Sequence, residues 1–247
     1  MLPFYLLPTL SQVVGIMILI LVGYWTGHTL GGYAWDGSGR EFNLHPLFMT
    51  IGLVFLYGDG ILMFRVFRHN SSSKIKIVHL LFHSLALIFA CVGLKTVFNF
   101  HRVQSFPDMY SLHSWVGLSA FILFVLQWMT GIACFLYPRL RDELRVTYLP
   151  LHRYIGVATF AMVIAAACAG INEKLFFVYS GRGDSLKYSA LPHGAYIGNF
   201  LGFLILLFGL IVGYLVSNSD FRRQTSNPAR DGLEEGTLMN TTDQKVN

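Results

Sequence analysis

The chain has 247 residues, of which 54% are hydrophobic, 15% aromatic and 13% charged, with a net charge of +5 and a mean hydropathy of +0.53. Soluble domains carry about 25% charged residues, so half the usual solvating surface is missing and an aqueous globular fold is disfavoured. No basic module interleaved with aromatics points to nucleic acid; the partner this composition calls for is the lipid bilayer.

The Asp, Glu, Lys and Arg residues leave six long gaps: 1–35, 42–64 (interrupted only by Asp59), 77–94, 109–138, 154–172 and 188–219. Each approaches the roughly 20 residues with which a helix crosses a hydrocarbon core about 30 Å thick. The gaps predict an all-α membrane protein with six transmembrane helices over 8–30, 45–67, 75–98, 112–137, 150–171 and 194–216. Their Leu, Ile, Val and Phe runs lack the ten-residue alternation of a membrane β-barrel. A cleaved leader is the alternative for the first run, but Met1 to Thr9 has no basic residue and the run is long, so it is read as helix 1. Residues 1–220 then make one transmembrane domain, and the polar stretch 221–247 reads as a disordered cytosolic tail.

Basic residues set the orientation. The 2/3 connection (Arg65, Arg68, Lys74, Lys76), the 4/5 connection (Arg139, Arg141, Arg145, Arg153) and the tail (Arg222, Arg223, Arg230, Lys245) carry twelve. The other side carries five (Arg40, Arg102, Lys174, Arg182, Lys187), with Lys95 inside helix 3. The positive-inside rule places both termini in the cytosol. Cys91, Cys134 and Cys168 all fall in apolar helices, which argues against disulfides and thiolate clusters.

Of nine histidines, His45, His79, His113 and His152 recur at steps of 34, 34 and 39 on four successive helices. His45 and His113 fall towards the lumenal face, His79 and His152 towards the cytosolic face. Paired imidazoles from facing helices can fill both axial positions of a haem iron, leaving it to exchange electrons, and bundle cofactors are commonly held this way. Two levels of paired histidine imply two haems. A lone intramembrane histidine is as often hydrogen-bonded packing; four at matched depths are harder to obtain that way. A histidine-based transition-metal channel is the competing reading, weakened by the scarcity of intramembrane carboxylates.

Six strings extend this pattern: FNLHP (42–46), FRVFR (64–68), KIVH (76–79), YSLHSWVG (110–117), PLHRYIG (150–156) and GINEKLFF (170–177). In order and spacing, over roughly residues 5–220, they resemble the signature segments of the cytochrome b561 family. The resemblance is to its animal ascorbate-dependent ferric reductase branch, the duodenal and especially the lysosomal members.

The resemblance implies a transmembrane oxidoreductase with two non-covalent, bis-histidine b haems, which oxidises cytosolic ascorbate and reduces an acceptor on the far side. His45 and His113 would ligate the lumenal haem iron, His79 and His152 the cytosolic one. Lys76 and Arg145 match positions the family uses for ascorbate; as residues alone they would read as topology charges. Ser72 stands where the duodenal member has a second ascorbate lysine, with Lys74 nearby in a different register. Arg65 corresponds to an arginine paired with haem propionate, although snorkelling is its ordinary explanation. Met109, Tyr110 and Ser111 resemble the haem-edge segment, Glu173 the family's lumenal glutamate, and His101, read as lying in the lumenal loop, a histidine at the acceptor site. His83, one turn beyond His79, could compete as a ligand but by motif supports or packs. His28, His69 and His193 are assigned to interfaces and loops.

Ferric iron or a ferric chelate is the preferred acceptor, with monodehydroascorbate in a vesicle lumen as the alternative. From other classes, a non-enzymatic haem sensor or a metal transporter would use the same histidines. The resemblance further implies a homodimer in an endosomal, lysosomal or plasma membrane. Asp59 and Lys95 depart from the family pattern: Lys95 can snorkel, whereas Asp59 is expected to face the bundle interior and to influence the cytosolic haem's potential or proton release from ascorbate. The sequons Asn70-Ser71-Ser72 and Asn240-Thr241-Thr242 fall on the cytosolic side and should be unused. Arg182-Gly183-Asp184 is read as chance, and Glu234 to Met239 as a loose dileucine signal.

Overall fold

Among the described residues, six helices long and apolar enough to cross a membrane follow one another as α1 (Leu6–Thr29), α2 (Gly39–Val66), α3 (Ser73–Gln104), α4 (Leu112–Phe135), α5 (Asp142–Val178) and α6 (His193–Ser217). The computed structural model describes residues 5–70, 72–138, 140–183 and 185–221, with Ser72 described by its backbone alone. Arg139, Ser71, Asp184, the second sequon, Glu234 to Met239, the tail cations and the tail itself lie outside the described residues.

α2 packs along α3, and α4 along α5, with α3 meeting α4; α1 and α6 pair with each other and close against α2 and α5. α2 to α5 therefore make the four-helix core and α1 and α6 form its flank. At the flank Ile18, Val22, Trp25, Leu175, Leu201, Ile205 and Phe208 are buried, while Ile16, Ile20, Phe203 and Leu210 stay exposed on the outer face, as lipid-facing positions do. Small residues bring α2 against α3: a Cβ on Gly52 would stand 2.8 Å from the Ala86 carbonyl oxygen, and Ala86 and Ala90 are fully buried. Thr50–Leu56 winds as a π-helix, a wider turn that re-aims the face of α2 between His45 and Tyr57. One end is tied by Trp25 Nε1 donating to the Gly194 carbonyl at 2.9 Å, the other by Arg65 donating to the Val216 carbonyl and Arg68 to that of Asp220 at 2.8 Å. That second end carries the start of α1 and the end of α6 and is called the terminal end below.

Hydropathy located all six helices but misplaced several ends. α3 continues to Gln104, α5 spans Asp142–Val178 and α2 begins at Gly39. Apolar runs measure the width of the hydrocarbon, whereas a helix continues while its backbone can bond within itself and nothing breaks it. Pro107, Pro138 and Pro192 stand just outside helix ends, and Pro150 is accommodated inside α5. As a correction, His101 and Arg145 stand on helical turns at the bundle's ends and not in connecting loops, and Glu173 stands on the last turns of α5.

Trp25 is fully buried and tied across the flank. Trp25→Ala should lower stability by about 3–5 kcal/mol, seen as a reduced Tm in detergent.

Candidate functional site

The four histidines meet in two pairs. His45 of α2 and His113 of α4 have ring centroids 6.1 Å apart; His79 of α3 and His152 of α5 have centroids 6.5 Å apart, at the level nearer the terminal end. A metal–imidazole bond is about 2 Å, so two rings sharing one metal centre would have centroids roughly 6 Å apart, and both pairs fit.

The unused nitrogens support the same assignment. His45 Nδ1 lies 3.0 Å from the Gly93 carbonyl, His113 Nδ1 2.8 Å from that of Ala166 and His79 Nδ1 2.7 Å from that of Gly60. A carbonyl only accepts, so each Nδ1 carries the proton and each Nε2 keeps its lone pair for a metal. His152 Nδ1 is buried with no hydrogen-bond partner among the described residues, while Gln127 Nε2 donates to the His152 carbonyl. Glycines make room for the rings: a Cβ on Gly170 would stand 2.6 Å from His113, and one on Gly131 3.3 Å from His152. Among the described residues, no group of three or more His, Cys, Asp or Glu could hold a bare metal ion. Each pair offers two imidazole nitrogens, so a metal held there would need a group that brings its own remaining donors.

A cavity of about 660 Å³ opens beside His45 and His113, and His101, Met109, Tyr110, Glu173 and Lys174 reach its lining. His101 Nδ1 meets Asp108 Oδ1 at 3.0 Å; Tyr110 donates to Glu173 at 3.0 Å. Ser111 caps α4 through the Ser114 N–H. Met109 adopts φ +58° and its carbonyl accepts from Trp115 Nε1 at 2.7 Å, fixing the turn that leads into His113.

At the terminal end, Lys76 stands on α3 about one turn before His79, and Arg145 on α5 about two turns before His152. Arg145 Nη2 pairs with Asp142 at 3.1 Å, while its Nη1 is buried with no hydrogen-bond partner among the described residues. Arg65 bonds the end of α6. His83 is buried with its ring centroid 4.2 Å from that of His79. His28 stacks on Tyr24, His193 meets Tyr24 edge-on and His69 accepts from Arg68. Lys95 Nζ lies 4.2 Å over the Trp35 ring.

The family model for eukaryotic cytochrome b561 matches residues 44–178, the segment that holds all four paired histidines. The chain belongs to the eukaryotic cytochrome b561 family. The transmembrane ascorbate-dependent reductase of Sus scrofa is 41% identical over 90% of this chain and 85% of its own length. The plasma membrane ascorbate-dependent reductase of Xenopus tropicalis is 38% identical over 93% and 83%. The lysosomal membrane ascorbate-dependent ferrireductase of Danio rerio is 39% identical over 89% and 90%. As a cytochrome b561, the chain is a haem b protein.

Several contributors escaped the sequence reading. The carbonyls of Gly60, Gly93 and Ala166 carry no sequence signal of their own. Asp108, beside His101, and Gln127, behind His152, are polar residues whose roles appear only when two segments meet. Lys174 was read as a topology charge, yet its Nζ lies 4.1 Å over the Phe42 ring. The glycine facing His113 was legible in principle, since a large aromatic group beside a helix requires a small neighbour.

Partial burial, together with the Glu173 carboxylate it bonds, pushes the Tyr110 phenol up to about 12. Both causes disfavour the phenolate, so Tyr110 keeps its proton and its bond across neutral pH. In absorbance titrations, the wild-type minus Tyr110→Phe difference should show ionisation near 12. The same difference on a Glu173→Gln background should move down, towards about 10.

Proposed function

We propose that this cytochrome b561 carries electrons across the membrane from cytosolic ascorbate, through two bis-histidine b haems, to ferric iron on the lumenal or extracellular side. The stacking of two imidazole pairs at two levels of one four-helix core, with centroids 6.1 Å and 6.5 Å apart, carries the reading. His45 and His113 would hold the haem nearer the lumen, and His79 and His152 the one nearer the cytosol. Haem held by these imidazoles would supply single-electron exchange without oxygen binding.

The remaining work belongs to the chain. Ascorbate at neutral pH is a monoanion, and it docks at the terminal end, where Lys76 and Arg145 supply positive charge. The buried, unpartnered Nη1 of Arg145 is a donor awaiting an acceptor, and a charge-assisted bond to the ascorbate anion would satisfy it. Arg65 ties the terminal ends of α2 and α6 together, and its guanidinium would supply positive charge to that haem's carboxylates. At the opposite mouth His101 receives the acceptor: its Nδ1 is turned to Asp108, which leaves Nε2 for ferric iron. Tyr110, Glu173 and Met109 shape the cavity edge through which the acceptor approaches, and Ser111 caps the helix that carries His113. The zebrafish relative's name supports ferric iron as the acceptor, and the relatives' names place such reductases in lysosomal and plasma membranes. The excess of Lys and Arg at the terminal end supports cytosolic termini.

Purified protein should carry two low-spin haems per chain, both reduced by ascorbate. His79→Ala and His113→Ala should each retain one. Liposomes loaded with ascorbate should reduce external ferric citrate when the protein is inserted with its terminal end inside. Absence of haem, or haem indifferent to ascorbate, would overturn the reading. Arg145→Ala should raise the ascorbate concentration for half-reduction about ten-fold or more, with dithionite reduction unchanged.

A further inference from the structure

Asp59 is a carboxylate inside the membrane domain that the reading above leaves without a role. It is 5% exposed and lies on α2 about 10 Å inward from Val66, at 1.5 Å per residue. It faces α1 and not the haem-holding core: Gln12 Nε2 donates to its Oδ1 at 2.7 Å. The next residue, Gly60, supplies the carbonyl that holds His79. An intramembrane carboxylate of this kind marks function by default.

The surroundings of Asp59 are asymmetric. On the side away from the terminal end, Phe55 and Phe208 fill the α1–α2–α6 junction, with centroids 6.4 Å apart. A Cβ on Gly15 would stand 2.6 Å from Phe55, and one on Gly58 2.6 Å from Phe208. Ser11 and Gln12 lie on the side where α1 begins. No Asp, Glu, Lys, Arg or His occurs in 6–27 of α1 or in 194–217 of α6, and Tyr24, Tyr196 and Tyr214 there are exposed. α3 presents His79 and His83. α5 contributes His152, Arg153 and Cys168, whose thiol turns to the Gly202 carbonyl. On α2 itself, Tyr57 donates to the Gly156 carbonyl and Arg65 to that of Val216. Among the described residues, Gln12 is the hydrogen-bond partner of Asp59.

We propose that Asp59 is a redox-linked proton site: it binds one proton when an electron enters the His79–His152 level and returns it to the cytosolic side when the electron leaves. This rests on the proposed function. Ascorbate monoanion, on becoming the monodehydroascorbate anion radical, gives up one electron and one proton. The electron reduces ferric haem to ferrous, and the proton forms an O–H bond on Asp59, so the charge added at that level is neutralised within the membrane. Coulombic attraction across a poorly screened interior drives the uptake. Phe55 and Phe208 restrict exchange to the terminal end, and the Gln12 amide holds the carboxyl in place in both states.

The test is potentiometric titration of the purified haem protein with chemical mediators across pH, with reduced-minus-oxidised infrared spectra. In the wild type one midpoint potential should fall with rising pH, approaching one proton per electron, and a protonated-carboxyl band should appear on reduction. Asp59→Asn should bind both haems, flatten that dependence and lose the band. His113→Ala, which spares the cytosolic level, should keep both signals. Gln12→Leu should displace the pH-dependent segment. A wild-type midpoint without pH dependence, an Asp59→Asn protein with the wild-type slope, or an unmoved segment in Gln12→Leu would each overturn the proposal. Haem that mediators reduce but ascorbate does not would strike the proposed donor alone and leave the Asp59 result readable.

Discussion

An imidazole in a membrane has two nitrogens to satisfy and no water to satisfy them. Three of the paired histidines turn Nδ1 to a main-chain carbonyl on a neighbouring helix: Gly93, Ala166 or Gly60. Each such bond fixes a tautomer, a ring orientation and the direction of a lone pair, and each requires two helices to lie close. The small residues follow from that requirement. Gly60, Gly131 and Gly170 stand where a Cβ would meet a histidine ring, and Gly52 brings α2 onto α3. α2 to α5 are thus held in register by the same contacts that orient the paired imidazoles, while α1 and α6 complete the wall without contributing a paired histidine.

The division of labour explains what could be read from the sequence. Charge-free runs of adequate length give six helices because the bilayer imposes one length and one polarity on all of them. The steps between His45, His79, His113 and His152 give two levels, because antiparallel helices return equivalent depths at regular spacing. The pairing across helices was legible for the same reason. What was not legible depends on tertiary approach. A carbonyl partner has no side-chain signature, and Gln12 looks like one polar residue in an apolar helix until it meets Asp59. Asp59 was expected to face the interior; it is buried, but on the side of α1, a rotation about α2 that hydropathy cannot resolve. His101 and Arg145 were set in loops because charge was taken to end a helix, when it ends only the hydrocarbon.

The two mouths differ in chemistry. At the end opposite the termini, His101 with Asp108 and Tyr110 with Glu173 are neighbours on a cavity, each a donor matched to a carboxylate. At the terminal end the functional candidates are cations, and one guanidinium nitrogen of Arg145 is buried with no acceptor among the described residues. The first arrangement suits a cation that arrives with its own ligands, the second a small organic anion. A bundle built for one substrate entering and leaving unchanged would have less reason for such a contrast.

The layer between the two histidine levels bears on the same question. Tyr57, Phe124 and Phe160 lie there at 2%, 2% and 3% exposure, with Tyr57 4.8 Å from Phe124 and 5.5 Å from Phe160 between ring centroids. Tyr57 turns its hydroxyl aside to the Gly156 carbonyl, and His83 closes the layer against His79. A metal ion passing from one imidazole pair to the other would have to part this plug and lose its ligands in an apolar medium, at a free-energy cost of several kcal/mol or more. An electron needs no opening, and dry close packing holds donor and acceptor at fixed separation. The same four histidines that could line an ion path are separated by a layer that an electron can tunnel through and an ion cannot cross without parting it.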